Sequence, residues 1–297
     1  MKLMQIVKER IVELCEEEHM KKLINREQIA GMNIHYLFYS LEYFLDTQKE
    51  LGFETIELWG GTPHLYLDSM GYEDIKEIKR KITERGLKVN VLTPENCTYQ
   101  YQAAAQTPFL FEKSYNYFEN GLRAAAELGC KMMQINSGWG YWNEDREEGW
   151  KRSREMISRL CDKAGELGIY IAMETLRPQE SKLVVSLEDM KRFRKEVNSP
   201  NLKVLLDTTA MSVQGETIDQ WFDAFGEDIW HMHFIDSNPY GHLYWGNGNR
   251  NLEEYLEALE RHGYKGGLGQ ELTEFDYFDD PREVDRKNME AYKPFIR

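Results

Sequence analysis

Hydrophobic and polar positions repeat along this chain in one phrase, an amphipathic stretch that ends at glycine followed by a short apolar run. The phrase appears in KELGFETIELWG, TERGLKVNVLTP, AELGCKMMQINSG, GELGIYIAMET and ERHGYKGGLGQEL. Glycine just past a helix takes the left-handed cap conformation, and an apolar run of strand length reads as a strand covered on both faces. Helical periodicity fills the intervals, in SLEYFLDTQKEL, DIKEIKRKITER, YFENGLRAAAEL, WKRSREMISRLCDKAGEL, SLEDMKRFRKEV, IDQWFDAF and LEEYLEALERHG. Several of these open on Ser or Asp in the capping position. One strand is predicted near MNIHYLF, and others ending near Trp59, Pro94, Ser137, Glu174, Asp207, Asp236 and Glu271. DPREVDRKNMEAYKPF reads as the closing helix. Strands alternating with helices in this way predict an α/β fold, a single (β/α)8 TIM barrel. The rival is an open doubly wound sheet, but no GxGxxG follows a strand to open a helix.

Length and charge narrow the picture. A chain of 297 residues, 41% hydrophobic, suits one such barrel. The first strand starts only around Gln28 to Met32, so residues 1–26 are expected to form a short N-terminal helical extension and 27–297 the barrel domain. That extension either plugs the barrel bottom or lies in a subunit interface. Its MKLMQIVKERIVELCEEEHMKKL is rich in both charges, unlike a signal or transit peptide, and no apolar run reaches membrane-spanning length. Cys15, Cys97, Cys130 and Cys161 form no CxxC pair and read as reduced thiols of a cytoplasmic protein. A net charge of -14 argues against nucleic acid as partner and favours a small ligand.

Four apolar runs of the second half carry a possible metal ligand: IYIAMET at Glu174, LKVLLDT at Asp207, WHMHFID at His233 and GGLGQEL at Glu271. In a closed parallel barrel the C-terminal strand ends converge on one pocket. Singly, each residue has a plainer reading. Glu174 is placed to pair with Arg177, Asp207 to cap a helix, and one of His231 and His233, which share a strand face, to be a core histidine. The glycines before Glu271 suggest close approach of backbone or ligand. Together on consecutive strands, two glutamates, an aspartate and a histidine suit one divalent cation such as Mn2+, with Mg2+, Co2+ or Zn2+ as other candidates. A cation chelated by two substrate oxygens is a Lewis acid that stabilises a developing enediolate. Two glutamates on opposite sides of the substrate then remove and return a proton, which is epimerisation beside a carbonyl.

The runs ETLRPQES, LLDTTAMSVQ, HMHFIDSNPYGH with WGNGN, GQELTEFD and, upstream, IELWGGTPH resemble the sugar-phosphate isomerase/epimerase superfamily with its xylose-isomerase-like barrel, from roughly Ile29 to the C-terminus. Within it the chain is most similar to the ketose 3-epimerases and the fructoselysine/psicoselysine 3-epimerases, and IELWGGTPH with TPEN looks closest to the fructoselysine type. The resemblance implies metal ligands at Glu174, Asp207, His233 and Glu271, an acid/base pair at Glu174 and Glu271, and a homo-oligomer, dimer or tetramer. Two positions depart from the free-ketose enzymes. They carry a substrate-binding histidine where this chain has Ala210, and an arginine where it has Pro239. Both departures leave room for a modified sugar, and the resemblance implies epimerisation at C3 of a ketose or ketosamine such as fructoselysine. His64, Trp59, Glu95, Arg177, His242 and Trp139 are the candidate substrate contacts.

Trp59, Tyr66, Tyr99, Tyr101, Trp139, Tyr141, Trp142, Tyr244 and Trp245 fall in predicted C-terminal loops, where aromatic faces suit sugar C–H faces, an apolar appendage or a dimer surface. No Lys/Arg-rich phosphate cradle accompanies them. Two other readings stay open. The C-glycoside deglycosidase subunits and inosose dehydratases resemble the same superfamily and imply elimination on a keto-sugar. A sugar-binding barrel without activity would be expected to have a degraded ligand set. Apurinic-site endonucleases share the barrel, but they need more histidines and a basic face.

Overall fold

The computed structural model of the protein describes residues 21–97 and 100–297. Most of the expected helical extension, with Cys15, lies outside the described residues, as does Tyr99. Eight parallel strands close into a barrel in sequential order. They are β1 (Ile29–Met32), β2 (Thr55–Gly60), β3 (Lys88–Pro94), β4 (Met132–Asn136), β5 (Tyr170–Glu174), β6 (Leu202–Asp207), β7 (Ile229–His233) and β8 (Gly267–Gln270). β1 pairs with both β2 and β8, which leaves no free sheet edge.

Nine α-helices of the described residues surround the barrel: α1 (Leu41–Leu51), α2 (Tyr72–Thr83), α3 (Pro108–Leu128), α4 (Arg146–Leu167), α5 (Leu187–Val197), α6 (Thr208–Val213), α7 (Ile218–Phe225), α8 (Leu252–Arg261) and α9 (Pro281–Tyr292). Their starts follow the capping residues. Ser40 accepts from Tyr43 N at 3.2 Å and Asp145 accepts from Glu147 N at 2.8 Å. α3 begins well before the predicted YFENGL pattern because Thr107 caps Leu110 N at 3.2 Å and Pro108 occupies the first turn. α1 ends at Gly52 with φ 80°, a conformation that a side chain would strain.

Two predicted strands end early, both because a side chain takes over the ladder. β1 stops at Met32, and Ile34–Tyr36 of the MNIHYLF run is a 3-10 turn. Asn33 Oδ1 accepts from Trp59 N at 2.7 Å and its Nδ2 donates to Trp59 O at 3.1 Å, so the amide replaces the backbone and frees the chain to turn. β7 stops at His233 rather than Asp236. There the Thr208 hydroxyl donates to the His233 and Ile235 carbonyls and accepts from Ile235 N at 3.0 Å.

The ring of elements is fastened where its two ends meet. Asp285 of α9 is fully buried and accepts from Tyr36 Oη (2.6 Å), His35 Nε2 (3.0 Å) and Gln48 Nε2 (2.5 Å), which belong to the β1–α1 unit. A buried carboxylate with three donors is satisfied; without them it would cost several kcal/mol, roughly. Among the described residues no helix is long and apolar enough to cross a membrane.

Candidate metal centre at the barrel mouth

Glu174 ends β5, Asp207 ends β6, His233 ends β7 and Glu271 follows β8. One ligand atom from each lies within 4.8 Å of all the others, so the barrel brings together the four residues expected from the sequence. His233 Nδ1 stands 2.6 Å from Glu174 Oε1, 3.2 Å from Glu271 Oε2 and 3.8 Å from Asp207 Oδ2. The site is nearly closed to solvent, with Asp207 at 2% and Glu271 at 15% side-chain exposure.

The plainer readings resolve one by one. Arg177 does not pair with Glu174; its Nε donates to Glu180 at 2.9 Å, within the loop after β5. Asp207 does cap a helix, with Oδ1 accepting from Ala210 N at 2.6 Å at the start of α6. Its Oδ2, buried and facing the cluster, has no hydrogen-bond partner among the described residues. Glu174 Oε2 accepts from Gln134 Nε2 at 2.6 Å, and Asn96 Nδ2 donates to Gln134 Oε1 at 2.9 Å. Those bonds hold one edge of Glu174 and leave Oε1 to the cluster.

His242 is a fifth group at the mouth. Its Nδ1 lies 2.9 Å from Glu271 Oε2 and its Nε2 3.8 Å from Asp207 Oδ2. The β7–α8 loop that carries it is wound around Asp236, whose carboxylate accepts from the backbone N–H of Ser237 (2.7 Å), Gly246 (3.1 Å), Gly248 (2.8 Å) and Arg250 (3.0 Å). Gly248 permits this, since a Cβ there would sit 2.3 Å from Asp236 Oδ1.

Burial and charge push the acidic groups apart. Burial raises the Glu174 carboxyl to about 7 against the pull of His233, and the negative charges of Glu271 and Asp207 add to the rise. Burial likewise raises Asp207. Glu271 goes the other way. Burial opposes its ionisation, but the charges of His233 and His242 outweigh that and hold it well below the usual range. The same carboxylates lift His233 and His242 above the ordinary imidazole value against their burial. Two carboxylates at one site with opposite displacements are the arrangement from which an acid and a base are made. Three mutually close carboxylates, an imidazole and an orphaned carboxylate oxygen form a donor set that a divalent cation fits, because its charge would offset the buried negative charge.

The other expected contacts divide. Trp59 Nε1 donates to Glu95 Oε2 at 3.1 Å, and Glu95 Oε1 accepts from Cys97 N at 2.9 Å, so these two are joined to each other and buried. Both ring nitrogens of His64 are committed, to Asn33 Nδ2 and to the Tyr39 carbonyl, each at 2.8 Å. Trp139 is half-buried and Trp142 is 65% exposed. Two aromatics of the loops, Trp245 and Tyr101, are buried against the core and present no open face. Trp245 donates to Phe234 O at 3.0 Å, and Tyr101 stacks on Tyr117 at 4.2 Å between ring centroids.

Sequence reasoning missed Glu57, Thr93, Gln134 and Asn96. Glu57 Oε2 lies 2.6 Å from His231 Nε2 and Oε1 3.0 Å from His233 Nε2, inside the barrel behind the cluster, and the Thr93 hydroxyl donates to Oε1. The signal was available. IELW and MMQIN each hold a polar residue within a strand that is otherwise apolar.

Comparison with known proteins follows the same lines. A family model described as Xylose isomerase-like TIM barrel matches residues 45–294. The fructoselysine 3-epimerase of Escherichia coli O157:H7 is 27% identical over 258 residues, covering 86% of this chain and 94% of that protein. The D-psicose 3-epimerase of Enterocloster bolteae is 24% identical over 264 residues, covering 83% of this chain and 84% of that one. The crystal structure of D-psicose 3-epimerase with D-tagatose from Clostridium cellulolyticum H10 matches with a TM-score of 0.75 at 20% identity, over 90% of this chain and 98% of that chain, a likeness of fold.

Proposed function

Since the chain belongs to the Xylose isomerase-like TIM barrel family, and since four metal-ligand side chains converge at its barrel mouth, we propose that it is a divalent-metal-dependent epimerase acting at C3 of a ketose or ketosamine such as fructoselysine. The observation that carries the reading is the convergence itself, with Asp207 Oδ2 left unpartnered among the donors. Glu174, Asp207, His233 and Glu271 would hold the cation, and the oxygen-rich set suits Mn2+. When bound, the cation supplies Lewis-acid stabilisation of negative charge on the substrate oxygens beside the reacting carbon.

The chain's own residues then divide the work. Glu174 and Glu271 come from strands β5 and just past β8, so they approach a substrate in the mouth from different sides, and each can take or return the proton at Oε. Gln134 keeps Glu174 from rotating away, and His242 holds Glu271 on its outer side.

The ketosamine is supported by what the mouth lacks and what it has instead. Ala210 offers only its backbone N–H, already given to Asp207, and Pro239 lies exposed in the β7–α8 loop. His242 stands between Asp207 and Glu271 and is the group placed to meet a substrate hydroxyl. Arg177 lies near enough to feel the charges of Asp207 and Glu271. Trp59 with Glu95, Trp139 and the ring face of His64 complete the proposed contacts.

The test is deuterium uptake from heavy water into a panel of ketoses and ketosamines with Mn2+ present. Uptake at the carbon beside the carbonyl is expected, with a product of unchanged mass apart from the label. Glu271→Gln should slow it by roughly 10²–10⁴-fold. Absence of uptake with every divalent cation, full uptake by Glu271→Gln, or a product lighter by water would sink the reading.

A further inference from the structure

The barrel interior behind the cluster holds an acid that no part of the proposed chemistry uses. Glu57 sits on β2, far in sequence from the other site residues, with no side-chain exposure. A carboxylate in that position is costly unless donors surround it. It has three. The Thr93 hydroxyl and His233 Nε2 meet Oε1, and His231 Nε2 meets Oε2.

The hydrogen positions follow from the partners. A carboxylate accepts only, so each facing imidazole nitrogen must carry a hydrogen. His231 Nδ1 is buried with no hydrogen-bond partner among the described residues, so the hydrogen that meets Glu57 is the one on Nε2. For His233 the consequence is different. With Nε2–H given to Glu57, the remaining nitrogen, Nδ1, is the atom that faces Glu174, Asp207 and Glu271.

β8 is shaped around this acid. A Cβ at Gly269 would lie 2.1 Å from Glu57 Oε2 and 2.8 Å from His231 Nε2, and one at Gly267 would lie 2.7 Å from His231 Nδ1. Gly267 and Gly269 of GGLGQEL therefore make room for the Glu57–His231 pair, whereas Gly266 lies against Tyr264 and the Trp230 carbonyl. Glu57, His231 and His233 are also close enough to resemble a second metal site. Their hydrogen bonds instead use both carboxylate oxygens and both Nε2 atoms on one another.

We propose that Glu57 is a positioning residue that acts through His233: it fixes the ring's tautomer and rotation so that Nδ1 faces the site where Glu174, Asp207 and Glu271 would hold a cation. This role rests on the metal-dependent reading above. Partners of this kind typically change metal affinity by about 10–100-fold. Thr93 contributes one of several bonds to Glu57 and has a smaller share.

The experiment measures Mn2+ affinity by calorimetry, the visible absorption of the Co2+-loaded protein, and the melting temperature of the metal-free protein. Glu57→Gln keeps the shape but not the charge. It should bind Mn2+ about 10–100-fold more weakly and alter the Co2+ bands, while Thr93→Val should weaken binding by no more than about threefold. Glu57→Gln with Mn2+ affinity within about threefold of wild type and unchanged Co2+ bands overturns the role, whatever its melting temperature. Should Glu57→Gln fail to fold, Glu57→Asp decides. It keeps the charge but withdraws it by one methylene, so weaker binding by about tenfold is expected and unchanged binding overturns the role. A wild-type protein that binds no divalent cation removes the epimerase reading and this role together, whereas equal tight binding by wild type and variant removes this role alone.

Discussion

Replacing Asp207 by asparagine should make the metal-free protein more stable and the metal-bound one less so. The two oxygens of Asp207 have separate duties. Oδ1 accepts from Ala210 N at 2.6 Å, and the asparagine carbonyl can keep that cap, so its loss is at most a few tenths of a kcal/mol, roughly. Oδ2 has no hydrogen-bond partner among the described residues; burial disfavours its charge and Glu271 repels it, and the pull of His242 and His233 does not make up the difference. An unsatisfied buried acceptor costs about 1–3 kcal/mol, and an NH2 in its place removes the charge and can donate to the neighbouring carboxylates. The net gain without metal is therefore about 1–3 kcal/mol, or roughly 2–6 °C in melting temperature for a domain of this size. The sign with pH follows from the raised carboxyl. Folded Asp207 holds its proton above the ordinary 3.8, so its penalty is absent below that value and grows as pH rises through the folded pKa. The gap between variant and wild type should thus be widest near neutrality and close towards pH ~4. With Mn2+ at about 100 times its Kd, wild type should gain about 2.7 kcal/mol and the variant far less. Thermal melts in chelator and in Mn2+ across pH decide the matter. A metal-free variant less stable than wild type, or one with an undiminished Mn2+ response, would refute the assignment of Oδ2 to the cation.

Three further outcomes are expected. Asp285→Ala should lower the urea midpoint by the equivalent of about 3–5 kcal/mol, because three buried donors lose their acceptor, yet leave the Mn2+ affinity of the folded fraction unchanged; an unmoved midpoint would show that the clamp contributes nothing. Asp236→Ala releases four backbone N–H groups of the loop that carries His242, so proteolysis between 237 and 250 should quicken and KM should rise more than kcat falls; wild-type cleavage and KM would contradict the cradle. In chelator, the cluster's contribution to stability should fall as pH rises from about 4.5 to about 7. Glu174 keeps a proton when folded up to about 7 that the unfolded chain releases near 4.5, and the raised His233 and His242 lose their contribution in the same direction. Glu174→Gln should flatten part of that slope in pH-dependent denaturation, and an unaltered slope would count against the raised Glu174.

The barrel and the cluster were legible because both depend on residues within one short run. An apolar strand ending on Glu174 or Asp207 announces itself through local contrast, and barrel closure then brings such ends together. What stayed hidden depended on pairing across the barrel. Glu57 looked like one polar residue in IELW, and only its meeting with His231 and His233, 174 and 176 positions away, explains it. The GGLGQEL glycines were read as a close approach of backbone or ligand; the approaching groups are the Glu57 side chain of β2 at Gly269, the His231 side chain of β7 at Gly267, and Tyr264 with the Trp230 carbonyl at Gly266. Strand ends were misjudged at Asn33 and Thr208, where a side chain replaces the backbone ladder and hydrophobic periodicity carries no trace of the change. The short helix α6 escaped notice because TTAMSV, with its two threonines, lacks helical periodicity, while its cap is Asp207, the proposed ligand.

The buried Asp285 clamp has a bearing on how the chain is made. Its partners His35 and Tyr36 are synthesised 250 and 249 residues earlier, so the β1–α1 unit leaves the ribosome with a polar cluster that has no acceptor. At roughly 5–20 residues per second, that unit waits on the order of ten seconds or more for α9. Throughout that interval the early strands present an open sheet edge, which is the state chaperones recognise and aggregation exploits. Variants that weaken the clamp should therefore reduce soluble yield in cells by more than their loss of equilibrium stability alone would account for.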